Sequence, residues 1–143
     1  MRLTAAEARI RFAEARVARL ATVSAEGTPH LVPVTFAVLG DRIVFAIDHK
    51  PKSTTRLRRL ENIAAQPSVC LLVDVYDEDW SRLWWARADG TAAVCDTDAD
   101  AVDALVARYP AYVHHRPAGP VVSIEVTAWS GWAASEEATA TWR

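Results

Sequence analysis

Residues 49–56 carry the densest set of groups able to do chemistry: His49, Lys50, Lys52, Ser53, Thr54, Thr55 and Arg56, with Pro51 among them. The stretch falls where an extended run hands over to a helical pattern. The first turn of a helix offers unpaired N–H groups and the positive end of the peptide dipoles, which together favour an anion. Three hydroxyls, two lysines and an arginine add to those donors, and Arg56 stands where a capping box opened by Ser53 would carry a glutamate. With no internal carboxylate competing, a phosphate is the natural guest. The plain alternative is a solvated basic helix end that Ser53 merely caps. Arg58 and Arg59 extend the same basic cluster.

Elsewhere the candidates are weaker. All six tryptophans lie in the second half of the chain. Trp80, Trp84 and Trp85 either fill a barrel and a contact between subunits or wall a cleft for a flat ring, and both roles suit large aromatics. The acidic run Asp74, Asp77, Glu78 and Asp79 lacks the alternating ligand pattern of a calcium loop and reads as a solvated turn. His30, His49, His114 and His115 lack metal-ligand spacing, and two cysteines, Cys70 and Cys95, make neither a disulfide framework nor a zinc site. Both cysteines read as packing residues, without the basic neighbours that activate a thiolate. No GxSxG, CxxC, HExxH or GxGxxG pattern is present. Missing an acid–base or nucleophile constellation, the chain points to chemistry carried by a cofactor.

The elements that must hold these residues follow from periodicity. Thr4 and Glu7 form a capping box, and Ala6, Ile10, Ala13, Val17 and Leu20 repeat at helical spacing, predicting a helix that ends near residue 16 or 17, with the arginines on its other faces. Residues 18–23, 29–39 and 43–47 then read as three strands joined by tight turns at 25–28 and 40–41, an antiparallel meander. Pro33 removes a ladder donor, so its strand is an edge or carries a bulge. Residues 53–64 read as a helix stopped by Pro67, with Leu57, Leu60 and Ile63 or Ala64 on one face. Residues 69–75 read as a central strand and 84–95 as another, with Gly90 marking a bend or close approach. A helix is expected over 96–109, capped by Asp98 or Asp100, with Ala101, Val102, Leu105 and Val106 inward. The last strand begins at 121 and runs to 127 or as far as 132. The sum is mainly β with flanking helices: an antiparallel split β-barrel of about six strands and three helices.

At 143 residues, 51% of them hydrophobic and 24% charged, this is one globular domain without repeat or linker. A net charge of −2 gives no sequence-wide attraction to nucleic acid or to an anionic membrane. No apolar run reaches the length of a membrane span, and the first twenty residues, with five arginines, do not read as a secretion leader. The expectation is a cytoplasmic protein with no nucleic-acid or membrane partner.

Several segments in order resemble the pyridoxamine 5′-phosphate oxidase-like split β-barrel proteins. They are Leu20-Ala21-Thr22-Val23, the turn at Glu26-Gly27, Pro29-His30-Leu31-Val32-Pro33-Val34, Lys50-Pro51-Lys52 with the helix after it, Ser68-Val69-Cys70-Leu71-Leu72-Val73-Asp74, Asp79-Trp80, and Trp84-Trp85-Ala86-Arg87-Ala88-Asp89-Gly90-Thr91-Ala92. The likeness covers residues 8 to 130 and is greatest to the branch of deazaflavin-dependent oxidoreductases that use coenzyme F420. It implies a homodimer with two cofactor sites at the subunit interface. The cofactor phosphate would lie against Lys50, Lys52, Ser53, Thr54, Arg56 and Arg59. The ring would lie along the second and third strands, near Pro33 and Ile47, with Trp80 and Trp85 as aromatic walls and part of the partner chain as cover. Relatives place a phosphate-binding lysine four residues before an apolar helix position. Here Ser53 precedes Leu57 by four, with Lys52 one residue earlier, and Arg59 precedes Ile63 by four, so either the helix start is shifted or a different basic residue of the junction takes the role. The activity implied is hydride transfer between the reduced cofactor and a small organic substrate. FMN on the same scaffold is the nearest alternative, followed by a non-catalytic flavin- or haem-binding dimer, and by a structural dimer that has lost its site.

Overall fold

The computed structural model describes residues 1–47 and 58–135. Its element order is α1 (Ala5–Glu14), β1 (Ala18–Val23), β2 (Pro29–Val34), β3 (Ala37–Leu39), β4 (Arg42–Ala46), α2 (Arg58–Ala65), β5 (Ser68–Val75), β6 (Trp84–Cys95), α3 (Ala99–Arg108), α4 (Pro110–His114) and β7 (Val121–Ala133), with a short 3-10 turn at Trp80–Arg82. The seven strands form one antiparallel sheet in the order β2-β1-β5-β6-β7-β4-β3. The split barrel expected from the sequence is present, with seven strands in place of six.

The difference arises in the run 29–39, which is two strands and not one. β2 folds back onto β1, while β3 pairs forward with β4. Among the described residues these two hairpins therefore lie at opposite edges of the sheet, and the expected meander is not formed. Only Thr35 and Phe36 separate the two edge strands along the chain, so the sheet curls until the end of β2 and the start of β3 stand at one corner. Phe36 cannot continue a ladder because its N–H and C=O both engage the Tyr109 phenol, at 3.1 and 2.9 Å, while its ring enters the core. Pro33 sits on an edge strand opposite Arg19, as its missing donor requires. Glycine serves the two hairpin turns, with φ of 87° at Gly27 and 61° at Gly40.

The first helix departs further from its pattern. Thr4 Oγ1 accepts the Glu7 amide at 3.1 Å, so the cap forms where expected, but α1 stops at Glu14. Its buried residues are Ala8, Arg11 and Phe12, whereas Ile10 and Val17 are exposed. Arg11, expected on an outer face, is only 1% exposed and lies 5.0 Å over the Trp84 ring, where a cation finds a negative π-face. Phe12 packs against Phe36 and Trp129, at 5.0 and 5.4 Å between ring centroids. Together with Leu20, Ile43, Phe45, Leu71, Val73, Ala86, Val122 and Ile124 these side chains form the main core. A second cluster lies beneath α3, where Val102, Leu105 and Tyr109 cover Ala37, Val44 and Val121.

The other elements largely follow their sequence. β6 spans the expected residues, and its register shifts between Asp89 and Gly90, where a side chain on Gly90 would strike the Glu125 carbonyl. In α2, Ile63 is buried as expected, but Ala64 is exposed. Asn62 is buried instead, donating from Nδ2 to Thr22 Oγ1 at 3.0 Å. The earlier part of that predicted helix, with Leu57, lies outside the described residues. Asp98 caps α3. The chain then breaks at Tyr109 and restarts at Pro110 as α4, a helix absent from the sequence reading. β7 runs its full thirteen residues to Ala133. There it meets the other end of the described chain: the Leu3 amide donates to Gly131 O and the Ala133 amide to Met1 O, both at 2.9 Å.

Candidate functional site

The seam between the two edge strands opens a cleft of about 500 Å³. Pro33, Val34 and Thr35, Phe45 and Ala46 of β4, Arg59 of α2, and Tyr112 with His115 line it. A volume in the range of small-molecule sites, with polar and apolar groups in near-equal measure on its walls, suits a ligand that has both a polar and an apolar part. The fold presents Tyr112 and His115 through Pro110: proline suits the first turn of a helix, and here it starts α4 straight after Tyr109. Tyr112 packs edge-on against Tyr109, 5.7 Å away, and its hydroxyl lies 2.9 Å from Thr35 Oγ1, so helix and seam are tied across the cleft.

A smaller chamber of about 240 Å³ adjoins the first, sharing Ala46, Tyr112 and His115 with it. Ile47, Arg116, Pro117 and Ala118 complete its lining. The Ile47 amide donates to Pro120 O at 3.0 Å and fixes the end of β4 against the loop that carries Arg116. Among the described residues neither lining includes an aspartate or glutamate, while Arg59 and Arg116 supply one guanidinium each. Such an arrangement attracts anions.

Of the residues singled out in the sequence, Pro33, Arg59 and Ile47 come together around these two chambers. Lys50, Lys52, Ser53, Thr54 and Arg56 lie outside the described residues. The chain leaves those residues just after Ile47, on the wall of the smaller chamber, and re-enters them one residue before Arg59, on the wall of the larger. The aromatic wall is elsewhere. Trp85 and Trp84 line a separate hollow of about 320 Å³ with Leu72, Asp74, Tyr76, Leu83 and Arg87, and Trp80 stands 69% exposed outside it. Among the described residues, Trp84 and Trp85 thus line a different cavity from Arg59. Thr35, Tyr112 and His115 are wall residues that the sequence reading did not place at the site. Pro110 was the available signal for the helix that presents two of them.

Both cysteines are free thiols. Burial, aided by nearby Asp89, pushes the Cys70 thiol above its ordinary value, which opposes thiolate formation. Among the described residues no three of His, Cys, Asp and Glu gather closely enough to hold a metal ion, and no helix is long and apolar enough to cross a membrane.

A family model described as pyridoxamine 5′-phosphate oxidase matches residues 4–133. Among solved structures, an FAD-binding protein from Mesorhizobium loti is similar with a TM-score of 0.71 and 19% identity, over 92% of this chain and 95% of that one. An FAD-binding protein from Mycobacterium smegmatis is similar with a TM-score of 0.66 and 20% identity, over 92% and 97%. A haem-binding protein from Mycobacterium smegmatis is similar with a TM-score of 0.70 and 22% identity, over 98% of this chain and 62% of that one. At such identities the likeness is one of fold. No curated protein matches the chain.

Proposed function

The chain belongs to the pyridoxamine 5′-phosphate oxidase family, and from that premise we propose that its larger chamber binds a flavin-type cofactor by the phosphate and serves an oxidoreductase. The cofactor proposed first is the deazaflavin coenzyme F420, with FMN as the alternative on the same scaffold. The observation that carries the reading is Arg59 in the lining of a cleft of about 500 Å³ whose described residues include no aspartate or glutamate. The residues present fit such a group: a guanidinium for the phosphate and the apolar Pro33, Val34 and Phe45 beside it for a planar ring. Lys50, Lys52, Ser53, Thr54 and Arg56 are proposed as further phosphate contacts, because the segment that carries them joins the two chamber walls. The chemistry such a group supplies when bound is hydride donation to an activated double bond of a small organic substrate. The chain's own part is to anchor the phosphate through Arg59 and its basic neighbours, and to hold the ring edge near the Thr35–Tyr112 pair. Similarity to two proteins named for FAD binding supports a flavin-type ligand.

Equilibrium titration of the purified protein with coenzyme F420, FMN and haem, at two salt concentrations, tests this. A hydrogen bond to a charged group is typically worth about 1.5–3 kcal/mol, so Arg59→Ala and Lys52→Ala should each weaken cofactor binding about tenfold or more. Ser53→Ala should cost less, and higher salt should weaken binding. Binding of haem alone would favour a non-catalytic haem module, the reading that similarity to the haem-binding protein supports. Failure of both F420 and FMN to bind, or indifference of binding to all three substitutions, would overturn the proposal.

A further inference from the structure

We propose that the smaller chamber is a distinct pocket for a short organic carboxylate, gripped by Arg116 beside His115 and lined by Ile47, Pro117 and Ala118. Its volume of about 240 Å³ lies below the range typical of drug-sized ligands, so its guest is short. Four carbon-rich residues, Ala46, Ile47, Pro117 and Ala118, suit an apolar body. The polar groups among its described lining residues are a phenol, an imidazole and a guanidinium, and the Asp103 carboxylate bonds that guanidinium from behind the lining. The Tyr112 hydroxyl already faces Thr35, which leaves His115 and Arg116 for the guest.

Arg116 is set for this task by its surroundings. Its Nη2 donates to Asp103 Oδ1 on α3 at 2.5 Å. The pair is half-exposed and adds little to stability, but it orients the plane of the guanidinium. The remaining nitrogens bond to no partner among the described residues. Nη2 keeps a second hydrogen, and with Nη1 or Nε beside it forms the edge of a planar fork that matches a carboxylate in a two-point contact an ammonium cannot reproduce. Pro117 follows directly and restricts the Arg116 backbone to extended conformations, while the bond from the Ile47 amide to Pro120 holds the loop against β4. The rim is therefore built, and the two chambers share Ala46, Tyr112 and His115 as common walls. Placing a carboxylate-bearing molecule as the co-substrate of a hydride donor rests on the reading of the larger chamber given above; the pocket itself does not.

The test is a two-dimensional NMR titration of the cofactor-free protein with butyrate, and with butyramide as its neutral isostere. Butyrate should shift the amides of Ile47, His115 and Ala118 along saturable curves, and butyramide should bind at least about fivefold more weakly. Arg116→Gln should weaken butyrate about fivefold or more, and Arg116→Lys should restore only part of the loss, since the charge returns without the fork. Equal response to acid and amide, shifts elsewhere on the protein, or indifference to Arg116→Gln would each overturn the pocket. Titration of the unmodified protein with F420 and FMN reads the larger chamber separately. Butyrate binding without either cofactor upholds the pocket and removes the cofactor reading, and cofactor binding without butyrate does the reverse.

Discussion

The Asp98 carboxylate serves two elements: Oδ1 accepts the Ala101 amide at 3.0 Å and caps α3, and Oδ2 accepts Arg42 Nη1 at 2.8 Å, tying the helix to β4. The hydrogen bond from Arg42, and after it the one from Ala101, hold this carboxyl below the ordinary carboxylate value. A group whose folded pKa is depressed stabilises the fold fully above its unfolded pKa, and that contribution disappears as pH falls through the folded value. Asparagine caps a helix nearly as well as aspartate but cannot pair with Arg42 as an ion. Asp98→Asn should therefore lower stability at neutral pH and flatten its decline between about pH 5 and pH 2. Urea unfolding midpoints across that range check this; parallel curves for the two proteins would remove Asp98 from the account. Asp98 was legible from residue types because capping is local. Arg11 was not, since its burial depends on Trp84, a ring more than seventy positions away that no helical spacing announces.

Between elements, Tyr109 acts as the staple at the seam. Its phenol accepts the Phe36 amide at 3.1 Å and Arg108 Nε at 3.2 Å, and it has the carbonyls of Arg16 and Phe36 both at 2.9 Å for its single proton. Arg108 adds bonds to the carbonyls of Ala13 and Ala15. One residue after α3 thus holds the α1–β1 connection and the crossing from β2 to β3. Tyr109→Phe keeps the ring but strands the buried Phe36 amide, at a cost of about 1–3 kcal/mol. Denaturant unfolding at constant slope should show it; an unchanged midpoint would mean that the seam is held by other contacts. Strands such as β1 and β6 were legible because period-two burial and turn residues are written within a few positions. The break at Thr35–Phe36 was not, because its cause is a tyrosine from another part of the chain. The site inherited that blindness. Pro33, Ile47 and Arg59 were found from local chemistry and the resemblance, whereas Tyr112 and His115 reach the cleft only because α4 restarts at Pro110.

At the scale of the whole molecule, the outer face of the sheet lacks a cover among the described residues. Register places Pro33, Arg19, Leu72 and Arg87 in one row, Leu31, Ala21, Cys70 and Asp89 in the next, and Asp74, Trp85 and Trp132 in a third, all on the side away from the core. Leu31 is 66% exposed, and Leu72 and Trp132 are each somewhat over a third exposed. This explains why β5 reads as unbroken apolar sequence although its inner residues alternate with outer ones. We propose a homodimer through this face: arginines and aspartates interleave on it, so a two-fold partner can set each charge against its opposite. Sedimentation should give a dimer at micromolar concentration, and Leu31→Asp should shift it toward monomer; a wild-type protein that sediments only as a monomer would exclude the arrangement. The pinning of Leu3 to Gly131 has another consequence, in time rather than in space. A nascent chain makes α1 first, yet that helix packs on β6 and β7, and β4 pairs with a strand some eighty residues downstream. Such distant pairings carry a loop-closure cost before they are rewarded and slow folding toward the millisecond-to-second range of β-rich domains. The packing of the first helix and the pairing of β4 with β7 therefore come late, after the two local hairpins, and the sheet closes only when the last strand joins it.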